Sequence, residues 1–243
     1  MFRFNQILSK FLLTIILITS LPTRLEATEN RGHNNSSLPK STKIKDLAKS
    51  WQELLNNLFN NKDKDNPPPG TPGNGIARGN ICPITPFSKH NTTEIWTNRP
   101  LFVWRGILGK IGVKLANSQD LLWSQTVDET DNRFPYTGPA LTPGKNYEWV
   151  IFISQNGNNP AMKIPFKVID NQERSQIRLD LIILGIQLQE KGTTSEEFTL
   201  EIAKYFAEKE LWNDVLQQIY SIENPSEDLQ NIIPEISTEL CSG

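Results

Sequence analysis

LTPGKNYEWVIFI, residues 141–153, sets a Pro-Gly turn directly ahead of an apolar run. Pro143 fixes φ near the value a turn needs, and Gly144 adopts conformations that other residues avoid. Beyond the turn, Tyr147, Trp149, Ile151 and Ile153 recur at every second position. A period of two is that of a strand, and this run predicts one side turned to a core.

The same period runs through residues 81–168. Phe102 and Trp104 share one face of a candidate strand, and Ile111, Val113 and Leu115 alternate with Gly112 and Lys114. Leu122-Trp123 opens a short strand ending near Val127, and Ile164, Phe166 and Val168 repeat the pattern. Turn signals separate these runs: Arg105-Gly106, Asn117-Ser118, Asp131-Asn132, Pro143-Gly144 and Gln155-Asn156-Gly157. Short alternating strands with such turns between them predict an antiparallel sandwich.

The pattern L-x-P-G-x-x-Y, made by Leu141, Pro143, Gly144 and Tyr147, resembles the E–F corner of fibronectin type III domains. The resemblance implies that Leu141 caps the core and that the Tyr147 hydroxyl bonds back to upstream backbone, as in a tyrosine corner. Tyr147 with Trp149 is similar to that family's F strand, and Trp104 after Pro100 to its B strand. Val113 stands where strand C often carries an aromatic. The expected fold is α+β, an Ig/fibronectin-III-like β-sandwich over residues 81–170 followed by a small C-terminal helical bundle over 171–243. A wider likeness takes in Pro68 to Arg78, Cys82, Pro100 to Trp104 and Leu141 to Trp149. It is to exported cyanobacterial proteins carrying a domain of unknown function, and it implies export and a sandwich but no activity.

Ahead of the sandwich, Arg3 and Lys10 precede the apolar run Phe11–Leu21, which Pro22 ends. A basic start, a short apolar stretch and a small residue at Ala27 predict a secretory signal over residues 1–27. The run falls short of the ~20 residues needed to span hydrocarbon. Membrane association is therefore expected only through an uncleaved signal. Residues 28–80 read as a leader. Within it Ile44, Leu47, Trp51, Leu54, Leu55 and Leu58 mark one amphipathic helix from about Thr42 to Asn60. Docking on the protein's own body is the ordinary use of such a stripe, and partner binding the sharper one. Three prolines from Pro67 to Pro69, with glycines after them, then form a linker.

After Val168 the period returns to 3.6. Ile177, Leu179, Leu181, Ile182, Leu184 and Leu188 lie in a helix over residues 172–191 that stops at Lys191-Gly192. Thr194 and Glu197 have the spacing of a capping box, opening a helix that buries Phe198, Ile202, Tyr205 and Phe206. A further helix runs from Trp212 to Ile222, Asn224-Pro225 breaks it, and Ser226 caps the last. Ala203, Tyr205, Phe206, Trp212 and Pro225 loosely resemble one tetratricopeptide hairpin, although arrays need at least three.

Catalytic chemistry is sparse. His33 and His90 lie in loop-like segments with no second ligand at metal spacing. Pro83 directly after Cys82 argues against a Cys–His nucleophile, and no G-x-S-x-G is present. Asp128, Glu129 and Asp131 share one turn, a pattern of solvated charge or a weak calcium loop. The expectation is a non-enzymatic protein without cofactor or metal. The formal charge of −2 argues against nucleic acid. Cys82 and Cys241, the two cysteines of the chain, form either one disulfide or two free thiols, and both readings stand open. Of the six tryptophans, Trp104 and Trp149 read as core, while Trp96 and Trp123 are candidates for stacking on a sugar or peptide. The expected role is a periplasmic or extracellular interaction protein with a protein partner. The rival is a carbohydrate-binding or envelope-associated module that takes a glycan through those two rings.

Overall fold

Phe102 and Trp104 point to one side of their strand and Val103 to the other, and each side meets its own core. The computed structural model describes residues 40–60, 81–86 and 93–241, all within one unit spanning Pro39–Gly243. The expected signal, the linker after Asn60, His33 and His90 lie outside the described residues. The elements run α1 (Lys40–Asn60), β1 (Cys82–Thr85), β2 (Thr93–Ile95), β3 (Leu101–Arg105), β4 (Lys110–Leu115) and β5 (Trp123–Thr126). There follow β6 (Arg133–Pro135), β7 (Asn146–Phe152), β8 (Met162–Val168), α2 (Asn171–Glu190), α3 (Ser195–Glu208), α4 (Trp212–Ser221) and α5 (Glu227–Cys241).

Two sheets form, with strand orders β1-β3-β6 and β2-β8-β7-β4-β5. All pairs are antiparallel except β2 with β8, which is parallel. The inward side chains of both sheets share one core. Within it the Phe102 ring lies 4.9 Å and the Trp104 ring 6.5 Å from that of Trp149. Ile111, Val113, Ile151, Ile164 and Phe166 pack around them. The outer side of the larger sheet is more polar. Lys114 Nζ lies 3.0 Å from Glu148 Oε2, and Lys167 Nζ 2.7 Å from Glu94 Oε1.

Strands β1, β2 and β6 were not marked by alternation, because segments of three or four residues are too short to display it. Pro83 stands in β1, an edge strand with a register irregularity, where a missing N–H is tolerated. Two residues assigned to inward faces are corrected. Ile153 lies beyond the end of β7 and is 53% exposed, and Leu115, last in β4, is 37% exposed. The turn at Gly144 (φ +74°) donates its N–H to the Val168 carbonyl at 2.8 Å, joining the β6–β7 connection to the end of β8.

A helical layer covers the other side of the smaller sheet, where Ile84 and Val103 share a second core with the helices. Helix α1 belongs to this layer. Its Trp51, Leu54, Leu55 and Leu58 are buried, and it packs on α3 and α5. The first turn of α4 is a polar joint between layers. Asn213 donates its side-chain N–H to Thr93 Oγ1 and accepts from Thr85 Oγ1 at 3.2 Å. Asp214 accepts the N–H groups of Trp96 at 2.7 Å and Thr97 at 3.1 Å. Buried polar groups demand such partners, so this joint fixes where the helices sit. Cys82 and Cys241 are joined by a disulfide, Cα–Cα 5.9 Å, tying the first strand to the last helix.

Candidate interaction surface

Helix α2 begins where β8 ends. Asp170 caps it by accepting the N–H groups of Gln172 at 3.0 Å and Glu173 at 3.2 Å. It ends ahead of Gly192, whose φ of +64° a side chain would resist. One long side of the helix faces the protein. Ile177 and Leu188 are buried, Leu181 and Leu184 pack against the helical core, and Gly185 meets the Phe198 ring.

Polar contacts hold α2 in place at two points. At its start, Arg174 Nε donates to the Trp96 carbonyl at 2.9 Å, and Trp96 Nε1 donates to the Arg174 carbonyl at 3.1 Å. At its middle, the Tyr205 hydroxyl donates to Asp180 Oδ2 at 2.6 Å. That bond holds the Asp180 carboxyl below its ordinary range, while burial and then the carboxylate push the Tyr205 phenol up. Helix α2 is thus firmly seated along one side.

Its opposite side is bare. Leu179, Ile182, Ile183 and Ile186 are 56%, 49%, 56% and 54% exposed. They fall at i, i+3, i+4 and i+7, which is one stripe of a helix. The other large apolar side chains exposed among the described residues (Ile107, Leu115, Leu121, Leu122 and Ile153) lie in or beside the sheets, none of them on a helix. Fully burying an aliphatic side chain of this size is worth about 1.5–3 kcal/mol. Half that exposure on four adjacent residues is a substantial driving force for contact. Contiguous apolar patches on a folded surface mark interaction sites.

The residues singled out in the sequence lie elsewhere. Tyr147 Oη accepts the Thr142 N–H at 2.7 Å and faces the Thr142 carbonyl at 3.3 Å, with Leu141 buried beside the same core. Trp96 lies 5.6 Å from the Phe206 ring with Arg174 over it at 5.2 Å. Trp123 packs on Phe102, Phe134 and Tyr136, and its Nε1 donates to Thr137 Oγ1 at 3.1 Å. Both rings are engaged with the protein's own side chains. Asp128 and Asp131 satisfy one another within their turn, the Asp131 carboxylate accepting the Asp128 N–H at 2.8 Å. No group of three His, Cys, Asp or Glu able to hold a metal occurs among the described residues.

Reading the sequence missed the bare stripe because α2 is apolar on both sides. Leu181 to Leu184 is an unbroken aliphatic run, flanked by Leu179 and Ile186. A helix apolar on two opposite sides needs cover on both, and that was the signal available. No family model matches this chain, and no curated protein matches it.

Proposed function

We propose that this is an exported, non-enzymatic interaction protein that receives a protein partner on the outer side of α2. The carrying observation is the stripe of Leu179, Ile182, Ile183 and Ile186 on a helix whose other side is anchored. A rigid helix face is a good docking element, because little conformational freedom is lost when a partner covers it.

Export is supported by the basic start and apolar run at residues 1–27, and by a disulfide of a kind that persists in oxidising compartments. The fibronectin-like reading is supported by the two sheets sharing a core and by the Tyr147–Thr142 bond at the corner. In this reading the sandwich is scaffold and the helical layer presents the surface. The glycan alternative would rely on Trp96 and Trp123, which are half-buried and already packed on the protein's own rings.

The test is a photo-crosslinking side chain placed at Ile183 in the exported protein in cells, with exposed Glu129 in the β5–β6 turn as control. A protein adduct at Ile183 and none at Glu129 is expected. Absence of any Ile183 adduct would sink the proposal.

A further inference from the structure

Between β7 and β8 the chain turns through Ser154-Gln155-Asn156-Gly157, remote in sequence from the docking helix. The Gly157 N–H closes this turn by donating to the Ser154 carbonyl at 3.1 Å, which makes Asn156 the third residue of a four-residue turn. Both neighbours of Asn156 are held by the rest of the protein. On one side the β3–β4 turn lies against the Gln155 backbone, so closely that a Cβ on Gly109 would stand 2.3 Å from the Gln155 nitrogen. On the other, Lys110 Nζ donates to the Gly157 carbonyl at 2.9 Å. Asn156 itself is exposed, so its amide meets water.

Position 157 favours glycine on steric grounds. A Cβ there would lie 3.2 Å from the Ser154 carbonyl oxygen, tighter than ordinary contact. That glycine has a chemical consequence for the residue before it. The side-chain amide carbon of an asparagine is an electrophile, and the next backbone nitrogen is placed to close a ring upon it. A Cβ on the following residue shields that nitrogen and limits how the backbone swings, whereas glycine does neither. The β4–β5 connection supplies the contrast. Asn117 is also exposed and third in its turn, which the Ser118 N–H closes on the Leu115 carbonyl at 2.9 Å, but the residue after it is a serine.

We infer that Asn156 is a site of spontaneous deamidation, the side-chain amide being lost through a cyclic imide. Opening the one hydrogen bond from Gly157 to Ser154 frees the nitrogen, and exposed turns open at low cost. The Gly157 nitrogen gives up its proton and bonds to Asn156 Cγ. The Cγ–Nδ2 bond breaks, and the amide nitrogen leaves as ammonia with the proton. Water then opens the imide. Addition at Cγ yields aspartate, and addition at the main-chain carbonyl carbon yields isoaspartate, with no change of oxidation state. Either product adds a negative charge beside Lys110, and isoaspartate also lengthens the backbone between two held residues.

The purified full chain, aged at mildly alkaline pH, digested and analysed by peptide mass spectrometry, tests this. A parallel sample aged unfolded in urea gives the reference rate. Conversion at Asn156 is expected in the folded chain, with isoaspartate present, while Asn117 stays intact over the same period. Asn74-Gly75, outside the described residues, falls in a separate peptide and does not confuse the reading. Gly157→Ala slows conversion at Asn156 about tenfold, because the added Cβ shields the attacking nitrogen. If Asn156 converts in urea but stays intact in the folded chain, the turn protects the step and the inference falls. It falls also if Asn117 converts as fast as Asn156, or if Gly157→Ala leaves the rate unchanged.

Discussion

Two buried tyrosines test the same core from opposite sides. The Tyr147 hydroxyl is bonded to the backbone of Thr142, whereas Tyr136 Oη is buried with no hydrogen-bond partner among the described residues. Burial pushes the Tyr136 phenol up, with Tyr147 nearby adding to it. Tyr147→Phe should therefore lower stability by about 1–2 kcal/mol, leaving the Thr142 N–H without its acceptor. Tyr136→Phe removes a hydroxyl that is already unpaired, and should be neutral or stabilising. Urea unfolding of both variants decides, and equal losses would contradict this account of the corner. Asp214 offers a second test. Burial pushes its carboxyl up from 3.8 to about 7, against the pull of the Trp96 and Thr97 N–H groups and of Arg174. An acid raised in the folded state makes that state take up a proton. Its contribution is thus most favourable below 3.8, declines from there to about 7, and is fully unfavourable above. Relative to Asp214→Asn, wild-type stability should fall as pH rises through this window, by at most about 1.4 kcal/mol per pH unit. A pH-independent difference between the two unfolding curves would contradict it.

Among the elements, α3 shows how a local signal in sequence becomes a tertiary joint. Thr194 and Glu197 satisfy each other's backbone N–H groups, as their spacing announces. Glu196 between them gives no such hint, yet it joins three helices. Its carboxylate accepts from Trp51 Nε1 of α1 at 3.2 Å and from the Ser226 N–H ahead of α5 at 2.8 Å. Thr194→Ala should cost about 1 kcal/mol, the usual value of a cap. Glu196→Ala should cost more, about 1.5–3 kcal/mol, because charged bonds to two other helices are lost together. Thermal unfolding of the two variants ranks them, and a smaller effect at Glu196 would show that α1 and α5 are held by packing alone. The same contrast explains what was legible. Caps, turns and periods are encoded within a few residues, so α1, α3, α4 and the longer strands could be read. Asn213, Asp214 and Glu196 act on residues far away in the chain, and no local pattern marks them. The docking stripe falls between these cases. Ile183 and Ile186 could have been noticed as excess apolar residues, but which side α3 would cover depends on packing.

For the whole molecule, the sandwich was legible and its union with the helices was not. The sequence segments into leader, strands and helices, whereas the fold interleaves them. Helix α1, from ahead of the strands, and α5, from the end of the chain, share one core with Ile84 and Val103 of the sheet. A disulfide between residues 159 apart in sequence closes this arrangement into a loop. Restricting so long a loop in the unfolded chain is worth about 5 kcal/mol in the chain-entropy model. That is comparable with the whole stability of many domains. The effect should not fall evenly. Strands β4, β7 and β8 are held by a sheet remote from the bond, whereas α5 relies on Leu229, Ile232, Ile236 and Leu240 once Cys241 is released. The variant carrying Cys82→Ser and Cys241→Ser should therefore unfold at clearly lower urea. In native-state hydrogen exchange, α5 amides should lose protection before those of β7. Reducing agent should bring the wild type to the same midpoint and leave the variant unmoved. If oxidised and reduced wild type unfold together, the bond contributes no closure, and the helical layer holds to the sandwich by its buried apolar contacts and the Asn213–Asp214 joint alone.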